Sequence, residues 1–558
     1  MTASSLRIAL AQLNPALGDM AGNAAKVLAA RSRAQAAGAE LVMLPELFLC
    51  GAPPQGLLRR TAFVDACRRA CEELARATAD RGPAILIGLP WREEGRLYNA
   101  YALLDGGMIQ SVRFKHALSD AGLRDETSLF ARGPLPGPVP FRDRLRLGFV
   151  IGEDVATEDV AECLAETGAE LLLAPSVFPW HRGAGDLRMN RAVARIVETG
   201  LPLISLNQLG GQEGLVFDGS GAVFNSDRSL AAQLPAFRES LAITHWRREG
   251  GEWHCEPGEI VVPEAGGAAD YTAIVLGLRD VVAKGGRDGV ALSLTGDPAS
   301  TLCAAIAVDA LGADHVVGVT FEDEGASGAV PDAVQGLARE LGVRLERVAA
   351  APIAGALRAA LPAVTAAADG SEAVDRLLIG RGRAALLQAL AGALGCAVLS
   401  PLTRTGVLTV DHVTPGAFRP LKDVDAAQAL RLLALRREWK PVDARGPGNP
   451  LLPVPGRAGD EELDVVLGLL AGEKLDVREV VARGHDPQLV AKAERLVREA
   501  GAARRDEGPG ILLTASRIEG QDAIPAVHAF HDTGEPPHEP DLALLRPGVR
   551  NASANPDV

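Results

Sequence analysis

GVALSLTGDPASTLCAAIAVDALGADHVVGVTF (289–321) is the stretch whose reading decides the fold. GVALSL (289–294) is a short apolar run of strand length, and TGDPAS (295–300) breaks it with Gly and Pro. STLCAAIAVDALG (300–312) is then long enough and apolar enough to be a buried helix ending at Gly312. HVVGVTF (315–321) returns as a strand. Strand, crossover helix and strand make a βαβ unit, whose strands lie parallel in a sheet covered on both faces. A helix-like run, TAIVLGLRDVVAKG from 272, precedes it.

Upstream the same alternation recurs. LRIALAQL (6–13) and LVML (41–44) read as buried strands flanking an Ala-rich helical stretch at 21–37 that ends in Gly38. Strand-like runs follow at AILIGLP (84–90), YNAYALL (98–104), LRLGFVI (145–151), ELLLAPS (170–176), LPLISLNQ (201–208) and SGAVFN (220–225). GGEWHCEPGEIVVPEAGGAADY (250–271) breaks the pattern with Gly and Pro and reads as a linker. The chain therefore divides into a domain at 1–249, a linker at 250–271, a domain at 272–530 and a tail at 531–558 expected to be disordered. PVDARGPGNPLLPVPGRA (441–458) is a long loop that could be a lid over a site or a plain connection to a helical region at 460–505.

A chain of 558 residues is too long for one core, so two large domains are the natural expectation. A net charge of −14 opposes a polyanionic partner, because nucleic-acid affinity comes from Lys and Arg displacing counterions, and no nucleic-acid partner is expected. The start, MTASSLRIALAQLNPALGD, lacks a basic segment followed by an apolar one, and no stretch reaches membrane-spanning length. A cytoplasmic protein without membrane contact is expected. Seven scattered cysteines give no disulfide framework, and Cys67 and Cys71, at helical spacing, read as small residues on a helix rather than metal ligands.

Three places carry candidate chemistry in the first half. LVMLPELFLCGAPP (41–54) puts Glu46 just past a strand, RFKHALSDAG (113–122) puts Lys115 at the end of another, and LGFVIGEDV (147–155) ends a third at Gly152-Glu153-Asp154. In this order, and with LYNA (97–100), PLPGPVPFRDRLRLG (134–148), RMNRAVARIVETGLPL (188–203) and NQLGGQEGLVFDGSG (207–221), they resemble the nitrilase superfamily and, within it, the glutaminase half of NAD+ synthetases. The resemblance implies an α-β-β-α sandwich in which a Glu is general base, a Lys stabilises the oxyanion and a Cys attacks the glutamine amide through a thioester. Glu46 and Lys115 match the first two roles. The family pattern I-C-E-D has Gly152 where the nucleophile should be, and glycine cannot form an acyl intermediate. Neither Cys50 nor Cys163 occupies an end-of-strand position from which a sulfur could substitute. LSDAGLRDE (118–126) replaces the family's LPNYGVFDE, and Phe178 stands where a Ser helps hold glutamine. Without a nucleophile, Glu46 and Lys115 read equally well as a structural ion pair.

The second half resembles the ATP-pyrophosphatase domain of the same family, a Rossmann-like parallel sheet of the adenine nucleotide alpha hydrolase kind. Its phosphate loop, S-G-G-x-D-S, works through backbone N–H groups and a helix N-terminus aimed at the anion. Here Thr295, Gly296, Asp297, Pro298, Ala299 and Ser300 occupy those positions. Pro298 removes an N–H, Ala299 removes a carboxylate associated with magnesium, and Asp297 adds a charge that repels phosphate by about 1 kcal/mol in water and more when desolvated. EDEGAS (322–327) stands where relatives have P-S-x-Y-T-S, and SPLTRTG (400–406) puts Gly406 at a metal-binding Glu. Arg381 and Gly382 survive from R-x-R-G with Ile379 in place of its first Arg, and PLKDV (420–424) keeps Lys422 and Asp423.

The resemblance thus implies a divergent α/β member of the NAD+ synthetase family with both active sites degenerate. The leading expectation is a pseudoenzyme with a structural, oligomeric or regulatory role, self-associating as relatives do or co-assembling with an active paralogue. No cofactor is then expected and no metal site is assigned. The alternatives are a working synthetase using ATP and Mg2+, a drifted amidase, or a sensor that binds without turnover.

Overall fold

The computed structural model describes residues 5–119, 126–212, 214–322, 332–360, 371–409, 417–448, 450, 461–499 and 508–514. The expected tail at 531–558 and all of EDEGAS beyond Glu322 lie outside the described residues.

The first half is built from two sheets. One contains β1 (Ser5–Gln12), β2 (Leu41–Met43), β3 (Ala84–Glu93), β4 (Arg96–Asp105) and β5 (Met108–Phe114). The other contains β6 (Val139–Phe141), β7 (Leu145–Phe149), β8 (Leu171–Ser176) and β9 (Leu203–Asn207), followed along the chain by a separate hairpin, β10 (Leu209–Gln212) and β11 (Leu215–Asp218). β12 (Ala222–Phe224) and β13 (Leu230–Gln233) complete the second sheet, while β14 (Ser240–Glu249) and β15 (Glu252–Cys255) return to the edge of the first. β1, β2 and β3 run parallel, as do β7, β8 and β9, and antiparallel strands flank both trios.

Alternation along the strands explains the layering. Leu6, Ile8 and Leu10 of β1 meet Leu147, Phe149, Leu171 and Leu173 in the core between the sheets. Ala9 and Ala11 point the other way, into a core with Val27, Ala30 and Ala34 of helix α1 (Met20–Ala36) and Leu74 of α2 (Thr61–Ala77). Val160 and Leu164 of α3 (Glu158–Glu166) and Ala192 and Ile196 of α4 (Ala184–Thr199) cover the outer face of the second sheet. The result is the α-β-β-α sandwich. Cys67 and Cys71 lie buried on α2.

The stretch 250–271, read as an irregular linker, is regular at both ends. Gly250 and Gly251, both at positive φ (60° and 100°), form the two-residue turn between β14 and β15. In β15, Trp253 and Cys255 then alternate inward under the sheet. A Gly-Gly pair is both a linker signal and a hairpin signal, and the four residues that follow decide for the hairpin. Helix α5 (Gly266–Lys284) begins before 271, which leaves 256–265 as the connection.

The second half is a four-stranded parallel sheet in the order β18-β17-β16-β19, formed by β16 (Gly289–Ser293), β17 (Val316–Glu322), β18 (Arg344–Ala349) and β19 (Cys396–Leu399). Val290 and Leu292 face α5 and α6 (Pro298–Leu311); Ala291, Val317 and Val319 face the helix Ser371–Ala393. The order βαβ read from 289–321 is therefore found, with α6 starting two residues earlier than its apolar run because Pro298 suits a first helical position. The helices Glu461–Leu467, Val477–Ala482 and Pro487–Glu499 gather round a small core of their own.

The loop read as lid or linker is tied down over its described first part. Arg436, buried, grips Asp309 of α6 with two hydrogen bonds, Nε to Oδ2 at 2.6 Å and Nη2 to Oδ1 at 2.9 Å. It also donates to the carbonyls of Pro447 (2.7 Å) and Gly448 (2.8 Å), while Tyr271 donates its hydroxyl to Asp309 at 2.6 Å. Removing one partner of a buried ion pair leaves the other uncompensated. Asp309→Ala should therefore lower unfolding free energy by about 3–5 kcal/mol in urea titrations, whereas Tyr271→Phe, which removes one hydrogen bond, should cost about 1 kcal/mol.

Candidate functional sites

Strands that end at the same edge of the sandwich bring the first site together. Glu46 follows β2 and Lys115 follows β5, both from the first sheet; Gly152 follows β7 and Val177 follows β8, both from the second. Glu46 sits in a tight turn in which Leu47 adopts φ 50°. Gly88 of β3 lies against this turn, where a Cβ would come within 2.2 Å of the Leu47 nitrogen, so only glycine fits.

Glu46 and Lys115 are both fully buried. Lys115 Nζ donates to Glu46 at 2.9 Å, to Glu126 at 2.8 and 3.0 Å and to Glu153 at 3.0 Å. Asn99 donates to Glu46 at 2.7 Å, and the Val177 amide donates to the other Glu46 oxygen at 2.9 Å. One ammonium is thus enclosed by three carboxylates. Asp154 braces the turn from behind, accepting from the amides of His116 (3.0 Å), Ala117 (2.6 Å) and Ile151 (3.1 Å). Burial pushes the Asp154 carboxyl up to about 7, against the opposing pull of those amides and of Lys115.

Gly152 lies directly beneath this cluster at φ 56°. A Cβ there would stand 2.5 Å from Lys115 Nζ and 2.6 and 2.8 Å from the two Glu46 oxygens. The space a side chain would need is filled by the charged ends of the other two candidate residues. Cys50 offers no substitute: it is buried, its sulfur points at the Gly51 carbonyl (3.1 Å), and desolvation holds its thiol well above the ordinary range. Cys163 lies out on α3. Phe178, expected to stand in place of a pocket serine, has the Arg191 guanidinium 5.5 Å from its ring centroid.

A cavity of about 440 Å³ opens beside Glu126, walled by Leu47, Leu58, Phe130, Val177 and Phe217. Glu126 and Asn99 were not singled out in the sequence although both fall inside quoted segments. An acidic residue in a mixed-polarity loop carries no periodic signal, and its role appears only once the chain folds back onto Lys115.

At the second site the loop is closed on itself. Asp297 caps α6, one carboxylate oxygen accepting from the amides of Ala299 (2.9 Å) and Ser300 (3.1 Å) while the other accepts from the Thr295 hydroxyl. Thr295 Oγ1 also lies 3.0 Å from Ser300 Oγ, and Gly296 turns the chain at φ 81°. The amides that a helix N-terminus offers an anion are taken by the chain's own carboxylate.

The remaining candidates lie elsewhere. Arg381 is exposed on the helix Ser371–Ala393, and Gly406 lies in the helix Arg404–Thr409. Asp423 is buried and accepts from the Leu513 amide (2.9 Å), the Thr514 amide (2.9 Å) and the Thr514 hydroxyl (2.7 Å), while Lys422 Nζ reaches the Gly508 carbonyl at 3.5 Å. Both therefore hold a C-terminal segment. Among the described residues, no group of three or more His, Cys, Asp or Glu is arranged to hold a metal ion, and no helix is long and apolar enough to cross a membrane.

Lys115→Met, which leaves the facing carboxylates without their ammonium, should lower stability by about 3–5 kcal/mol in denaturant titrations. Asp297→Ala should cost about 1 kcal/mol through loss of the helix cap. It should also give the chain a melting-temperature increase with inorganic pyrophosphate that the unaltered protein lacks.

Comparison with known proteins gives a consistent picture. A carbon-nitrogen hydrolase family model matches residues 7–253, and an NAD synthase model matches residues 270–499. A glutamine-dependent NAD(+) synthetase of Rhodobacter capsulatus is 35% identical, the match covering 94% of this chain and 99% of that protein. The corresponding protein of Xylella fastidiosa strain Temecula1 is 31% identical with the same coverage. Among solved structures, the glutamine-dependent NAD+ synthetase of Acinetobacter baumannii, in complex with ADP, superposes with a TM-score of 0.73 at 26% identity, covering 95% of this chain and 100% of that one. The Cytophaga hutchinsonii synthetase, at 17% identity and a TM-score of 0.79, shares the fold over 94% of this chain and 98% of its own.

Proposed function

Because the chain belongs to the glutamine-dependent NAD+ synthetase family, we propose that it is a non-catalytic member, a two-domain scaffold with a structural or regulatory role in a homo-oligomer or beside an active relative. The observation that carries this reading is the closure of Lys115 and Glu46 over Gly152. Thioester chemistry on glutamine needs a sulfur at residue 152 within reach of the base. Here the acceptor atom is missing, and base and donor neutralise one another. The self-capped loop at 295–300 supports the same reading for the second domain, because a triphosphate would have to displace the Asp297 carboxylate before it met an amide.

A second reading is a working synthetase, amidating deamido-NAD with ATP and Mg2+. It is the reading that the comparisons favour, since relatives bearing that name match the chain across both domains at up to 35% identity. Overall similarity reflects mainly what the fold needs, whereas the chemistry rests on a few positions. At residues 152, 297 and 299 this chain departs from the family patterns at those positions, and this is the ground for preferring loss.

Glutaminase and synthetase assays on the full chain separate the two. Supplied with glutamine, or with deamido-NAD, ATP, Mg2+ and ammonia, the protein should give no turnover above background, and Glu46→Ala should change nothing. Turnover that Glu46→Ala or Ser300→Ala abolishes would establish the working synthetase instead.

A further inference from the structure

The segment Gly-Pro-Gly-Ile-Leu-Leu-Thr (508–514) supplies no catalytic group to either site described above, yet it touches both domains. Its successive apolar side chains go to different cores. Ile511 and Leu513 are buried in the core that α5 and α6 form over the parallel sheet. Leu512, between them, is buried in a different cluster, with Leu47, Leu58, Phe130, Val177 and Phe217 of the sandwich domain. Those five residues also wall the cavity beside Glu126. One short stretch thus supplies alternate residues to two separate cores.

Its backbone is shared out in the same way. Arg419 and the segment exchange hydrogen bonds in the second domain, the Arg419 amide donating to Pro509 (2.9 Å) and the Ile511 amide donating to Arg419 (3.2 Å). The Leu512 amide then donates to Gly214 in the β10–β11 turn (3.0 Å), and the Leu513 carbonyl accepts from the Arg182 amide (3.1 Å), both in the sandwich domain. Asp423 closes the end by taking the Leu513 and Thr514 donors.

Glycines clear the path on both sides. A Cβ at Gly214 would lie 2.4 Å from the Gly510 carbonyl oxygen, one at Gly510 would lie 2.5 Å from the Arg419 carbonyl oxygen, and one at Gly277 of α5 would lie 2.4 Å from Ile511 Cδ1. Two separate parts of the chain, at Gly214 and Gly277, lack side chains where they meet the segment, and the segment itself lacks one at Gly510.

We propose that residues 508–514 form an interdomain staple that makes the cavity-bearing wall of the sandwich and the core of the parallel-sheet domain one cooperative unit. Leu512 is the tooth in the first domain, and Ile511 with Leu513 the teeth in the second. Asp423 is a positioning residue that holds the staple shut. This holds whether or not either site turns over, since it rests on packing alone.

Scanning calorimetry and amide hydrogen exchange on the full chain test it. The unaltered protein should unfold in one transition. The variant Ile511→Ala/Leu512→Ala should unfold in two, and the amides of β10 and β11 should exchange at least about tenfold faster as the domains open independently. Val490→Ala, a truncation in the separate core of the C-terminal helices, serves as control and should lower the single transition without splitting it. Should the double variant fail to fold, Asp423→Ala leaves both cores intact and should split the transition by releasing the staple's end. Two transitions in the unaltered protein, or a staple variant that merely melts lower in one step as the control does, would overturn the proposal.

Discussion

A single buried ammonium organises the sandwich domain's functional end. Lys115 has no solvent to satisfy it, so the chain must bring it anions, and it brings Glu46 from the end of β2, Glu126 from the following loop and Glu153 from the end of β7. The two sheets are therefore tied at this edge by charge as well as by the apolar layer between them. Each of those carboxylates would be costly in isolation; around Lys115 they become a fixed point from which the neighbouring turns are hung. The strain at Leu47 and the absence of a side chain at Gly88 and Gly152 follow from packing backbone so closely around it.

The two halves are joined by contacts of the same close kind. Gly211 of β10 lies against Gly277 of α5, where a Cβ on Gly211 would approach the Gly277 Cα to 2.8 Å. Around this contact the buried Asp280 accepts from Asn14 (2.6 Å) and from the Gly211 amide (2.7 Å), and Lys284 donates to Asn14 (2.8 Å) and to the Gly211 carbonyl (2.9 Å). Leu209, Val216 and Phe237 of the first domain are counted in the second domain's core. The interface is thus continuous with a core, which distinguishes it from a wet contact between independently moving domains.

Much of this was legible in the sequence, and the failures have physical reasons. Parallel strands buried on both faces announce themselves as unbroken apolar runs, so the βαβ unit at 289–321 and the strands of the sandwich could be read directly. Gly152 and the TGDPAS loop were equally plain, because each departs from a fixed pattern at a defined place. What escaped was whatever depends on contacts between distant residues. The hairpin at Gly250-Gly251 was hidden because one dipeptide serves two purposes. Glu126 was hidden because its meaning lies in Lys115. Asp423 reads in the sequence, beside Lys422, only as a remnant of the family's pattern, and only the fold brings it to the backbone of Leu513 and Thr514. GPGILLT was hidden because three consecutive apolar residues do not say that the middle one belongs to another core.

Both altered sites share a physical logic that the sequence differences alone do not convey. Deleting a nucleophile or a phosphate contact leaves strong donors and charges behind, and buried groups of that kind are destabilising unless something satisfies them. At Gly152 the ammonium and carboxylates satisfy one another across the space where a side chain would be. At the start of α6, the Asp297 carboxylate satisfies the amides that would otherwise await an anion. In each place an internal partner stands where an external one would be needed for chemistry. On the proposed reading, a satisfied group gains little by exchanging one partner for another, so glutamine or a triphosphate would have to displace these internal contacts before it met either cluster.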